Sequence, residues 1–277
     1  MTLFRPRALS EALGYLAEAP AVVLSGGTDV FPTLGDRPAP PRILDVTAIP
    51  DLRGIASDGG HWRIGAGVTW AEFIRADLPP QFDGLKAAGR QIGSVQIQTS
   101  GTLAGNICNA SPAADGVPVL LALDASVELA SAEGRRVVAL SDFVTGVRKT
   151  ALHPGEIVTA TLVPRMGGDV RSGFEKLGAR AYLVISIASL AAILRFEGGK
   201  LEEARIAVGA CSPVPVRLSA LERDLIGATA GTLGGVVRAE HFDGLAPIDD
   251  VRASAAYRRD AVATLARRML DRYGAVA

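Results

Sequence analysis

The sequence predicts an α+β protein built from more than one sub-domain, and three observations lead there. Its 277 residues exceed one average domain. Helical patterns and short apolar runs alternate in the first half, then give way to mostly β patterns from Val117 onward. The chain closes on an amphipathic helix in which Tyr257, Ala261, Leu265 and Met269 share one face. With 48% hydrophobic and 21% charged residues, the composition is that of an ordinary folded protein and not of a disordered one.

Taken in order, Leu9, Leu13 and Leu16 recur at helical spacing and Pro20 follows the helix they define. "AVVLSGGTDV" is a short apolar strand running into a glycine turn, and "PRILDVTAI" is a second strand. The Gly/Pro-rich stretch between them, Pro32 to Pro41, is expected to hold no helix. These pieces make a unit of roughly 55 residues. His61 to Ala66 reads as a strand, and Thr69 and Glu72 stand at capping-box spacing, which starts a helix at "TWAEF". "PVLLALDASVELAS", "RRVVAL" and "EIVTATLVP" read as β, with turns at Gly134 and Gly155. "RMGGDV" (Arg165 to Val170) is the best linker. "RSGFEKL", "AYLVISIASLAAILRF" and "KLEEARIAVGA" then supply strands and one buried element.

Several function classes drop out. Basic and acidic residues balance at 29 each without a long run of like charge, so neither nucleic acid nor a membrane surface is the expected partner. The longest uncharged apolar run, Ala181 to Leu194, is shorter than the about 20 residues a membrane helix needs. The charged N-terminal segment does not resemble a signal peptide, and a cytoplasmic location is expected. Cys108 and Cys211 alone provide neither a disulfide framework nor the ligands of an iron–sulfur cluster. His61, His153 and His241 lie far apart with no metal-ligand spacing, and no metal is expected. There is no nucleophile elbow and no P-loop, and "GAGVTW" lacks the third glycine of a dinucleotide fingerprint. Cys108 reads as a small buried side chain in preference to a nucleophile.

Two glycine loops remain, "SGGTD" (Ser25 to Asp29) and "SGTLAGN" (Ser100 to Asn106). Each offers consecutive backbone N–H groups with no bulky side chain in front, plus hydroxyls. That is the making of an anion-cradling nest, and two such loops can grip a diphosphate. Asp115, nine residues beyond Asn106, could accept hydrogen bonds from sugar or ribityl hydroxyls.

"SGGTD" together with "TLAGNICNASPAAD" resembles the FAD-binding (medium) subunit of the molybdenum hydroxylases, the xanthine dehydrogenase and carbon monoxide dehydrogenase family. "ILDVTAIPDLRGI", "IGAGVTWAEF", "LHPGEIVTATLVP" and "GFEKLGARAYLVISIA" extend the resemblance over nearly the whole chain. It implies an FAD-binding fold of the p-cresol methylhydroxylase type in two sub-domains, residues 1–55 and 56–166, followed by an α+β flavoprotein domain over 167–277. By the same resemblance, Ser25, Gly26, Gly27, Thr28 and Asp29 form the first pyrophosphate loop. Gly101, Thr102, Leu103, Ala104, Gly105 and Asn106 form the second, with Ala104 where the family most often has glycine. Asp115 matches an aspartate that contacts FAD, Ile157 or Val158 an apolar residue packing on the cofactor, and Lys176 a lysine near the flavin.

The implied activity is electron relay. No side chain of this chain is required as a catalytic acid or base. A partner subunit would carry the molybdenum cofactor and another two [2Fe–2S] clusters. FAD in this chain would pass electrons to NAD⁺ or another acceptor. The alternatives are a free-standing FAD-dependent oxidoreductase of the same fold, or a non-catalytic binding protein with a decayed flavin site.

Overall fold

The computed structural model of the chain describes residues 1–275, which fall into two compact units. The first comprises residues 1–75, 94–110 and 124–165, and the second residues 76–93, 111–123 and the chain from Met166 onward.

The first unit holds three sheets, the smallest a two-stranded pairing of Val144–Gly146 with Lys149–Thr150. A three-stranded parallel sheet is ordered Thr2–Phe4, Arg42–Asp45, Val22–Leu24. The helix Leu9–Glu18 connects its outer strands and buries Leu9, Ala12 and Leu16. Two strands that run parallel need such a crossover because a tight turn cannot return the chain in the same direction. A five-stranded antiparallel sheet runs Ile55–Asp58, His61–Gly65, Ile157–Pro164, Ser126–Ser131, Gly134–Ala139. Its central strand slips register between Val158 and Ala160. There Thr159 donates to the Glu128 carboxylate at 2.6 Å, and Arg63 pairs with the same carboxylate at 2.8 Å.

The second unit is built on a four-stranded antiparallel sheet, Asp169–Leu177, Ala188–Glu197, Lys200–Gly209, Val216–Arg217. Ala188–Leu194 is covered on both faces, which is why its apolar run Leu190–Leu194 shows no alternation. Leu190, Ala192 and Leu194 join the core cluster with Val262, Leu265 and Met269 of the C-terminal helix Ala255–Ala275. At Gly173, opposite Ala192, a β-carbon would collide with the Tyr273 ring of that helix. The other face receives the helices Asp83–Arg90 and Gly116–Ala122. Ser172 accepts the Gly84 N–H at 3.0 Å, and a β-carbon at Gly209 would meet both Ser189 and Pro118.

Four expectations need correction. A short helix, Val30–Leu34, enters the proline-rich stretch, with Pro32 in its first turn, where the missing N–H has no intrahelical partner to lose. Gly116–Ala122 is a helix and not a strand. Six of its seven residues are buried, so neither period shows in the sequence. The run beginning at Ala181 is buried only in its second part: Tyr182, Leu183 and Ile185 are exposed, and the strand begins at Ala188. On the last helix Tyr257 is exposed, and Arg258, Val262, Leu265, Ala266 and Met269 form the buried stripe.

Candidate functional site

In the first unit the two glycine loops meet. Ser25–Asp29 follows the strand Val22–Leu24, and Gly27 takes a left-handed φ of +70° to turn the chain. A β-carbon on Gly26 would run into the backbone carbonyl of Ser100, so the loops touch main chain to main chain. The N–H groups of Gly26, Gly27 and Thr28 donate to no acceptor among the described residues. In the second loop Thr102 caps the helix Leu103–Asn109, its Oγ1 accepting the Gly105 N–H at 3.0 Å. The Leu103 N–H is taken by the Val68 carbonyl, and the Ala104 N–H donates to no described residue. The loop is anchored to the start of the helix Trp70–Arg75 by the Trp70 N–H, which donates to the Gly101 carbonyl at 3.0 Å.

A cavity of about 430 Å³ opens against Ser25, Gly26, Ser100 and Thr102, so both loops reach one space. Thr69 and Glu72, the capping pair of the helix Trp70–Arg75, also line it. The Glu72 carboxylate accepts the Thr69 N–H at 2.7 Å, and the Glu72 N–H donates to the Thr69 hydroxyl at 3.2 Å. The cavity has two cations that sequence reasoning missed. Arg53 is held at 3.0 Å by the Thr47 carbonyl and at 3.2 Å by that of Gly67. The side chain of Arg75, on the last turn of its helix, has no hydrogen bond or ion pair among the described residues. No local motif marks either arginine. Arg53 lay within "ILDVTAIPDLRGI" without any stated role.

The other predicted loop residues do not line this space. Leu103 and Ala104 are buried in the helix, Asp29 is exposed, and the Asn106 Oδ1 is buried without a partner. Ile157 and Val158 are buried in the five-stranded sheet, opposite Ala130 and Leu129, and neither lines the cavity. Cys108 is exposed as a residue, yet burial around its thiol pushes it up to about 12, so the sulfur is no reactive thiolate. Cys211 is fully buried, and burial pushes its thiol up to about 11, far from a reactive thiolate. His241 is buried between the Arg238 N–H, which donates to its Nδ1, and Asp224.

In the second unit Asp115 and Lys176, 61 positions apart in the chain, form a buried ion pair. Asp115 precedes the helix Gly116–Ala122, and Lys176 lies near the end of the strand Asp169–Leu177. Lys176 Nζ donates to Asp115 Oδ2 at 2.6 Å, and Ser186 Oγ donates to Asp115 Oδ1 at 2.5 Å. Burial pushes the Asp115 carboxyl above its ordinary value, while Lys176 and Ser186 pull it back by stabilising the charged form. Ser186 carried no sequence signal of its own.

A family profile described as the FAD binding domain in molybdopterin dehydrogenase matches residues 1–166, and the CO dehydrogenase flavoprotein C-terminal domain matches residues 174–273. The nicotinate dehydrogenase FAD-subunit of Eubacterium barkeri is 31% identical over 94% of this chain and 91% of its own. The carbon monoxide dehydrogenase medium chain of Afipia carboxidovorans is 30% identical over 97% of this chain and 94% of its own. A solved chain of the reconstituted CO dehydrogenase from Oligotropha carboxidovorans superposes with a TM-score of 0.91 at 28% identity, covering 99% of this chain and 98% of that one.

Proposed function

Because the chain belongs to the FAD-binding medium-subunit family of the molybdenum hydroxylases, we propose that it carries electrons within such a complex. They would arrive from [2Fe–2S] clusters in one partner subunit and leave to NAD⁺ or another acceptor. The molybdenum cofactor would sit in a further subunit. The chain is an oxidoreductase subunit whose cofactor is FAD.

The observation that carries this reading is the pair of glycine loops on one cavity, with N–H donors that no described residue takes. The residues present fit a diphosphate. The Gly26 N–H would donate from the first loop, and the Ser25 and Ser100 hydroxyls on the cavity wall would supplement it. Arg53 and Arg75 would offset the diphosphate charge. Buried Asn106 Oδ1 is an acceptor awaiting a donor. Asp115 would accept hydrogen bonds from hydroxyls of the cofactor, with Lys176 holding its charge. Ile157 or Val158 would serve as apolar backing.

When bound, FAD supplies the exchange between one-electron and two-electron carriers. The protein's part is to bind it, orient it and set the charge around it. Among the described residues no helix is long and apolar enough to cross a membrane. Two unpaired cysteines suit a reducing compartment, and we place the complex in the cytoplasm.

The test is a visible spectrum of the protein co-expressed with its partner subunits, followed by FAD titration of the stripped protein. Flavin absorption and co-purification of two further chains are the expected results. A colourless complex that takes up no added FAD would overturn the reading.

A further inference from the structure

Asp115 is the one carboxylate among the described residues that is classed as buried, at 5% exposure. It draws its partners from two other segments, Lys176 on the strand Asp169–Leu177 and Ser186 just before the strand Ala188–Glu197. Stability is a poor reason to keep such a group, because well-packed apolar residues usually serve as well as a buried ion pair. A ligand is a better reason. An ionised carboxylate presents about four lone-pair sites. Lys176 takes one on Oδ2 and Ser186 takes one on Oδ1, so one site on each oxygen remains. A carboxylate held at both oxygens cannot turn about its own axis, and the two remaining directions are fixed.

We propose that Ser186 is a positioning residue for the cofactor: its hydroxyl locks the Asp115 carboxylate so that the free lone pairs meet hydroxyl groups of the sugar or ribityl portion of FAD. The proposal rests on the FAD reading above and adds to it a residue that touches no cofactor atom itself. Ser186 is suited to this because the backbone of its neighbour Ile187 is held independently of the Ser186 side chain. The Ile187 N–H donates to the Leu177 carbonyl at 2.8 Å, and Arg258 Nη1 donates to the Ile187 carbonyl at 2.5 Å. Removing the hydroxyl therefore leaves the segment in place and frees only the carboxylate.

The test is a double-mutant cycle on the full chain. Wild type, Ser186→Ala, Asp115→Asn and the double variant are stripped of flavin and titrated with FAD, and thermal unfolding of each apo form is recorded alongside. Ser186→Ala is expected to weaken FAD binding about tenfold, the range of one lost charge-assisted hydrogen bond. It should add nothing in the Asp115→Asn background, and Ser186→Thr should recover most of the loss. A merely structural role would weaken binding equally in both backgrounds, and that result overturns the proposal, as does a Ser186→Ala variant that binds FAD like wild type. Should Ser186→Ala not fold, Ser186→Cys keeps the volume with a poorer donor, and its binding loss is read in the same cycle. If wild type itself takes up no FAD, the flavin reading fails and this proposal with it. If wild type binds and Ser186→Ala is silent, this proposal fails alone.

Discussion

At Gly26 a β-carbon would occupy the place of the Ser100 carbonyl, and backbone cannot step aside as a flexible side chain can. Gly26→Ala should therefore prise the two loops apart, costing about 3 kcal/mol of stability and most FAD affinity, read by urea unfolding and FAD titration. Ala104 behaves differently. It is buried in a helix at ordinary backbone angles, and its open N–H is a main-chain group that a methyl does not remove. Ala104→Gly should cost about 1 kcal/mol through helix propensity alone and leave FAD affinity unchanged in the same two measurements. Lys176 is already paired, so Lys176→Met strands a buried carboxylate instead of merely deleting a cation. The expected outcome is a flavin that is harder to reduce, seen as a lower midpoint potential in a dye-linked titration. An unchanged potential would remove Lys176 from any electrostatic role.

At the level of elements, local chemistry was legible and environment was not. The helix Trp70–Arg75 could be read from Thr69 and Glu72 because a capping box is contained within four consecutive residues. Thr69→Ala should cost about 1 kcal/mol in chemical unfolding, and more in FAD binding if the cavity edge frays. The helix Gly116–Ala122 was hidden because its apolar residues point in every direction, and a short apolar run gives no period to read. Both glycine loops could be read as open backbone because the signal is the absence of side chains. Arg53, Arg75 and Ser186 could not, because each gains its meaning from partners distant in sequence or from the cavity it faces. The pairing of Asp115 with Lys176 is of the same kind: Asp115 stood out by its place beyond the second loop and Lys176 by the family resemblance, and their contact emerged only from the fold.

For the molecule as a whole, acid should find a particular weak point in the second unit. Asp250 accepts the N–H groups of Arg252 and Ala253 and also pairs with Arg258, which in turn holds the carbonyls of Ile187 and Ala210. The Arg252 N–H, followed by the Arg258 guanidinium, keeps the Asp250 carboxyl down at about 2. Its folded value lies below its unfolded one, so its contribution is present above the ordinary carboxylate range and is lost as pH falls from about 4 toward 2. Thermal unfolding between pH 5 and pH 2.5 should show a steeper decline for wild type than for Asp250→Asn, which starts lower and has less to lose. Equal slopes would place the acid sensitivity elsewhere.

The chain passes between its two compact units five times, and each unit is stitched from three separate stretches. The family profiles divide the sequence between residues 166 and 174, yet no cut there frees an intact unit, because 76–93 and 111–123 belong with the later part. A gene fragment encoding residues 1–166 would carry the helices Asp83–Arg90 and Gly116–Ala122 without the sheet they cover, and should be recovered as inclusion bodies. By the same weave, either part moved alone into another protein would leave behind stretches that complete a unit.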